Sequence, residues 1–180
     1  MADPPVPRRL RWAVQLLEVA PDDEILEIGP GPGVSASLVC GRLTTGRITA
    51  IERSATAVQR ATRRNADHVA SGRAVFHQLD LADADLARRT LAGQRFDKAF
   101  AVNVNLFWVR PADAELRLVG DLLRPGGALH LVYETPGEDQ ASRVVDVVTR
   151  ALAGNGFATA VTTAGSPSLL CVTGRPSGGA

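Results

Sequence analysis

The stretch EILEIGPGPG, residues 24–33, decides how the rest of the chain is read. Its first half is a short apolar run, the pattern of a strand buried within a sheet. Its second half alternates Gly29, Gly31 and Gly33 with Pro30 and Pro32. A glycine loop directly after a buried strand points to a close approach of backbone to a partner, because glycine has no Cβ in the way and adopts positive φ freely.

Working outward, the apolar spacing alternates between helical and extended. RRLRWAVQLLEVA carries Trp12, Leu16, Leu17 and Val19 at helical spacing and is ended by Pro21. After the glycine loop come a short helix over VSASLVCGRL, a strand in GRITAIE, and one helix over SATAVQRATRRNADHV with Ser54 as N-cap. AVFHQLD is a third strand, DADLARRTL a helix and FDKAFAVN a fourth strand. Pro111 suits the first turn of a helix over PADAELRLVGDLL, and RPGG turns the chain into a fifth strand, ALHLVYE. EDQASRVVDVVTRALA is a helix stopped at GNG, and FATAVTT and SLLCVTG are two final strands across a Gly/Ser/Pro turn.

Strands alternating with helices predict an α/β, doubly wound fold: a mostly parallel seven-stranded sheet with an antiparallel C-terminal strand. Ligands of such sheets bind beyond the carboxyl ends of the strands, where the glycine loop lies. A length of 180 residues suits one domain, expected over residues 8–174. The Pro-, Gly- and Ser-rich ends, residues 1–7 and 175–180, are expected to be flexible.

A formal net charge of +1 gives no global case for nucleic acid or an anionic membrane. Cys40 and Cys171 sit in apolar settings with no metal-ligand spacing, so they read as core residues of a reduced compartment, and no metal site is expected. MADPPVPRRL has no apolar leader core and no run reaches membrane-spanning length, so a cytoplasmic protein is expected.

Two ligand chemistries compete for the loop. Gly31, Gly33 and Ala36 satisfy G-x-G-x-x-A, and Glu52 lies 21 residues after Gly31, as in a dinucleotide fingerprint. A pyrophosphate needs N–H donors at a helix terminus, however, and Pro30 and Pro32 remove two of them. Glu27 adds a carboxylate just before the loop, a poor neighbour for an anion and a good one for an ammonium or sulfonium.

EILEIGPGPG resembles the first motif of the class I S-adenosylmethionine-dependent methyltransferases, and later segments match that family in order. ITAIER is similar to the acidic end of its second strand and FHQLDLAD to that of its third. FDKAFAVNVNLFW resembles its fourth-strand motif, and LLRPGGALHLVYE its following helix, turn and fifth strand. The resemblance covers nearly the whole chain and implies S-adenosyl-L-methionine as cofactor, with S-adenosyl-L-homocysteine as product.

Residue by residue, the resemblance implies that Gly29, Gly31 and Gly33, with Pro30 between them, pass the methionine part, and that Glu27 organises its ammonium through the loop or water. Glu52 would accept hydrogen bonds from both ribose hydroxyls, since a carboxylate is a bidentate acceptor for a vicinal diol; Arg53 is placed beside it. Asp80 would accept from the adenine amine, Leu81 would meet the ring, and Asn103 would hold the ammonium side through its carbonyl. Glu52 and Asp80 also have a simpler reading as caps of the helices that follow.

The reaction so implied is in-line displacement of the sulfonium methyl by a nucleophile, in which positioning does much of the work. A general base is required only for a nucleophile protonated at the working pH. NVNLFW lacks the Asp/Asn-Pro-Pro-Tyr/Phe motif of enzymes acting on exocyclic base amines, and neither cysteine lies in a Pro-Cys motif of cytosine C5 chemistry. A small-molecule acceptor therefore leads. Candidates for its pocket are Asn105 and Trp108, with Phe107, after the fourth strand, and Tyr133 and Glu134 at the end of the fifth; core packing is the rival reading for the aromatics and solvation for the polar pair. His77 and His130 fall within strands and His68 on a helix face, and none is read as a base.

Arg60, Arg63 and Arg64 cluster on one helix, and Arg8, Arg9 and Arg11 near the N-terminus; solvated helix faces explain them, and RNA or protein methylation gains only if they share a face with the cofactor mouth. No long insertion follows the fifth strand, so the acceptor site is either open or completed by the helix of Trp12 or by a second subunit, which makes a homodimer a candidate. A nicotinamide-dependent oxidoreductase is the poorer reading: Tyr133 is the only tyrosine and Lys98 the only lysine, so no Tyr-x-x-x-Lys pair exists. A methyltransferase-like subunit that serves a partner is the remaining alternative.

Overall fold

The computed structural model describes residues 5–165 and 168–178. Along the chain run α1 (Arg8–Leu16), β1 (Glu24–Ile28), α2 (Val34–Cys40), β2 (Arg47–Glu52), α3 (Ala55–Arg64), α4 (Ala66–Ala70) and β3 (Ala74–Gln78). There follow α5 (Ala84–Thr90), β4 (Phe96–Val102), α6 (Leu106–Val109), α7 (Asp113–Leu122), β5 (Leu123–Glu134), α8 (Glu138–Gly154), β6 (Phe157–Thr163) and β7 (Leu169–Pro176).

The strands form one sheet in the order β3-β2-β1-β4-β5-β7-β6. The first five pair in parallel, and β7 runs antiparallel between β5 and β6. The expected doubly wound sheet is present, with the antiparallel strand one place in from the edge. Burial explains that placement: Leu169 to Val172 of β7 are buried throughout, whereas β6 beyond Phe157 is mostly exposed. The continuous apolar run takes the inner position and the alternating one the edge.

Successive side chains of a strand point to opposite faces, and β1 supplies both layers of the core. Ile25 packs with Val14 of α1 and Leu17 just after it, Val39 of α2, Ile48 and Phe100. Leu26 and Ile28 pack with the other layer, among Leu91 just after α5, Leu116 of α7, and Val144 and Val148 of α8. Each such side chain, fully withdrawn from water, contributes about 1.5–3 kcal/mol. The strand order reverses between β1 and β4, so the crevice beyond their carboxyl ends is the place where a ligand fits this sheet.

Several local expectations are corrected. The single helix over residues 54–69 is two: Asn65 has φ −107° and ψ 27°, and its buried Nδ2 donates to Gly33 O at 3.0 Å and Ala61 O at 2.9 Å. Pro111 lies ahead of α7 rather than in its first turn, since Ala112 is the N-cap. Ser54 does cap α3, accepting from Ala57 N at 3.3 Å. Of the ends expected to be flexible, residues 1–4 and 179–180 lie outside the described residues, Pro7 accepts from Leu10 N and Arg11 N at the start of α1, and Arg175 and Pro176 pair with Ala158 and Phe157.

Candidate functional site

The glycine loop joins β1 to α2 with positive φ at Gly29 (71°), Gly31 (53°) and Gly33 (77°). Their surroundings separate their roles. A Cβ on Gly29 would lie 2.7 Å from Val104 Cγ2, and one on Gly33 2.7 Å from Asn65 Nδ2 and 2.8 Å from Ala61 Cβ. At Gly31 it would meet nothing within 4 Å. Gly29 and Gly33 therefore let the loop pack against the protein, while Gly31 faces open space.

The loop's donors are already engaged. Gly29 N donates to Ile51 O at 2.9 Å, Gly33 N to Pro30 O at 3.0 Å, and Gly31 N to Glu52 Oε2 at 3.3 Å. Glu52, ending β2, also accepts from Ser54 N at 2.9 Å through Oε1. Two backbone bonds thus orient a carboxylate that retains lone pairs for further donors. One strand over, Asp80 Oδ1 accepts from Ala82 N at 2.9 Å, and the buried Leu81 follows it.

Glu27 is buried beneath the loop. Ser35 Oγ donates to its Oε1, and its Oε2 has no partner. Burial pushes its pKa up to about 8, the Ser35 hydrogen bond opposes that rise, and the like charge of Glu52 adds to it. A carboxyl oxygen without a donor, next to a loop with one glycine open to space, fits a ligand bringing an ammonium or a bridging water. The residues present therefore suit an aminoacyl-adenosyl cofactor.

A cavity of about 560 Å³ opens at the carboxyl ends of β1 to β4. Six of the expected cofactor residues line it: Gly29, Glu52, Arg53, Asp80, Leu81 and Asn103; Asn105 lines it too. Glu27, Pro30, Gly31 and Gly33 do not; they form the buried footing and the loop beside it. Asn103 takes a left-handed φ of 54°, rare outside glycine and tolerated best by Asn and Asp. Its Oδ1 accepts from Glu134 N at 2.8 Å, tying the tips of β4 and β5 together.

Two pocket candidates are corrected. Tyr133 is buried in the larger core cluster with its hydroxyl donating to Val104 O at 3.2 Å, and burial pushes its pKa far above the ordinary tyrosine value. Trp108 packs against the same core and donates through Nε1 to Asn105 Oδ1 at 3.2 Å, and Phe107 is buried there as well. None of the three lines the cavity; they hold its wall in place. Glu134 does not line the cavity either; it is exposed and pairs with Arg9 at 3.0 Å.

Sequence reading missed Ser35, Asn65 and the wall built by α6, where Leu106, Val109 and Arg110 line the cavity. Arg110 is braced by the buried Glu115, to which its Nη2 donates. Asn65 carried a signal, because a mid-helix Asn competes for backbone groups; a four-residue helix such as α6 shows no periodicity. Of the arginine clusters, the one on α3 stands away from the mouth, since Arg63 and Arg64 end α3 whereas the cavity lies at its start with Arg53. Arg9 of the N-terminal cluster pairs with Glu134 next to the cavity-lining Asn103. No helix among the described residues is long and apolar enough to cross a membrane.

A family model described as a methyltransferase domain matches residues 25–127, from β1 into β5, and the chain belongs to that family. Its fold is that of the class I S-adenosylmethionine-dependent methyltransferases, as three solved structures illustrate. An O-methyltransferase family protein from Burkholderia thailandensis superposes with a TM-score of 0.73 at 17% identity, over 95% of this chain and 56% of that one. The pyocyanin biosynthetic protein PhzM gives 0.72 at 12% identity, over 92% and 53%. A precorrin-6y C5,15-methyltransferase from Geobacter metallireducens gives 0.68 at 16% identity, over 93% and 87%. The chain thus spans about half the length of the first two. No curated protein matches it in sequence.

Proposed function

We propose that the chain transfers a methyl group from S-adenosyl-L-methionine to a nucleophilic atom of a small-molecule acceptor. The observation that carries this reading is the pair of carboxylates, Glu52 at the end of β2 and Asp80 just beyond the adjacent β3, lining one cavity together with Leu81. A volume of about 560 Å³ is within the range of small-molecule sites. Support for an adenosyl ligand over a dinucleotide comes from the loop's donors: Pro30 and Pro32 have none, and the N–H of Gly31 is turned to Glu52.

When bound, the cofactor supplies an electrophilic methyl on its sulfonium. The chain's own part is positioning. Glu52 receives the ribose hydroxyls, Asp80 and Leu81 the adenine, and Arg53 flanks them. The loop passes the methionine part over Gly31, with Glu27 beneath it, and the Asn103 carbonyl faces the ammonium side. Leu106 and Val109 give an apolar wall beside Asn105 for an uncharged acceptor surface. Glu134, exposed and ion-paired with Arg9, is the carboxylate assigned to take a proton from an acceptor, whereas Tyr133 is committed to Val104 within the core.

Calorimetric titration with S-adenosylmethionine, S-adenosylhomocysteine and NAD in parallel tests the cofactor assignment, and methyl transfer to a panel of phenol, carboxylate, amine and thiol acceptors tests the rest. Micromolar binding of the adenosyl pair without NAD is expected. Binding of NAD alone refutes the reading, and adenosyl binding with transfer only to RNA or protein refutes the acceptor class.

A further inference from the structure

Glu27 presents an accounting problem. Of the five loop positions above it, two are prolines, and the N–H groups of Gly29, Gly31 and Gly33 go to Ile51 O, Glu52 and Pro30 O. The one donor left to Glu27 is the Ser35 hydroxyl, and Oε2 has none. The backbone neighbours of Glu27 across the sheet are Ala50 on β2 and Phe100 on β4, both uncharged. The titratable groups that act on it or respond to it are Glu52 at the end of β2 and Cys40 on α2. Neither supplies positive charge. An ionised carboxylate here is desolvated, singly hydrogen-bonded and repelled.

We propose that Glu27 is protonated in the free protein and releases that proton when the ammonium of the cofactor's amino-acid tail docks, so that binding of tailed adenosines, unlike that of tailless ones, is linked to proton release. This rests on the cofactor reading above. The carboxyl O–H bond breaks, the proton leaves to solvent, and the carboxylate acts on the incoming ammonium across the loop or through a water. No other reactant is needed. Burial makes the neutral acid the resting form around neutral pH, with a midpoint near 8, and the positive ammonium of the tail reverses that preference.

Proton-linked binding has a sign that other roles for Glu27 lack. Below about pH 8, affinity for S-adenosylhomocysteine rises about tenfold per pH unit, because each binding event expels one proton. Affinity for 5′-methylthioadenosine, which has the nucleoside and thioether but no amino-acid tail, stays flat over the same range. A permanently ionised Glu27 leaves both affinities flat.

The test is calorimetry of the full chain at pH 7 in buffers of different ionisation enthalpy. About one proton is expected to be released per S-adenosylhomocysteine bound, and none with 5′-methylthioadenosine. In Glu27→Gln, proton release disappears, the preference for the tailed ligand shrinks at least tenfold, and 5′-methylthioadenosine binds as before. The wild-type proton count decides the matter even if that variant folds poorly. Tight binding of S-adenosylhomocysteine with no proton released overturns this inference and leaves the cofactor reading standing. Failure of every adenosyl ligand to bind overturns the cofactor reading, and this inference with it.

Discussion

Two buried groups should make the stability of the free protein respond to pH in opposite directions, and single substitutions should separate them. Glu27 has its pKa raised by burial from 4.5 to about 8. The folded state therefore holds a proton that the unfolded chain gives up, and the stability present below pH 4.5 is lost as the pH rises through 8. His130, hydrogen-bonded to Thr173 Oγ1 at 3.3 Å, has its pKa lowered from 6.5 to about 4, first by burial and then by Arg175 and Lys98. It favours the fold above pH 6.5, and that contribution disappears as the pH falls through 4. Between pH 4.5 and 6.5 each group changes stability by about 1.36 kcal/mol per pH unit with opposite sign, so about 2.7 kcal/mol from each cancels. From pH 6.5 to 8 only Glu27 acts, and stability falls by about 2 kcal/mol. Urea unfolding of ligand-free protein at half-unit steps reads this directly. Wild type should be level from pH 4.5 to 6.5 and then decline. Glu27→Gln should gain about 2.7 kcal/mol over the first interval and stay level afterwards, and His130→Gln should decline across both. Parallel profiles for wild type and Glu27→Gln would mean that Glu27 is ionised in the free protein, and the reasoning would be wrong.

Glu52→Ala should weaken S-adenosylmethionine binding by about 1–3 kcal/mol, the range for lost charge-assisted hydrogen bonds, and unchanged calorimetric affinity in a folded variant would remove the ribose assignment. Gly31→Ala and Gly29→Ala both place an alanine at positive φ, costing about 1–2 kcal/mol, but only at Gly29 does the new Cβ collide with Val104. Thermal melts should rank Gly29→Ala as the less stable, while titration finds the binding defect of Gly31→Ala larger than its small stability loss explains; normal binding by Gly31→Ala would show that its open side is not the ligand's. Tyr133→Phe should lose about 1 kcal/mol of stability with its bond to Val104 O and keep its turnover within a few-fold. A fall of about a hundredfold, the least expected for a missing acid or base, would return Tyr133 to the reacting centre.

The strands were legible because a parallel sheet buried on both faces leaves continuous apolar runs, as in Ile25–Leu26 and Ile48 to Ile51. The carboxylates Glu52 and Asp80 were legible because each sits at the end of such a run. Tyr133 was misplaced although its signal was present: Leu129, Leu131 and Tyr133 share a face at the strand period of two, and all three belong to one core cluster. The break at Asn65 was easy to pass over because apolar spacing continues across it; the mid-helix Asn was its one local signal, and the hydrogen bond from Asn65 to Gly33 that accompanies it is tertiary. Trp108 could not be placed because α6 is one turn long. The order of β7 and β6 could have been read from the contrast between LLCV and ATAVTT, since pairing by a short hairpin fixes their adjacency and not which of them faces solvent.

Asn65 has one further consequence, for anyone who would transplant this loop. Its amide bridges the carbonyls of Gly33 and Ala61 while lying where a side chain on Gly33 would go. Residues 29–33 alone are therefore not a portable module. Grafted onto another scaffold without Ala61 and Asn65, the loop would lose the floor that sets its last turn. In a library that varies Gly33 and Asn65 together, fitness at one position should depend on the identity of the other, and the two should behave as a single mutational unit.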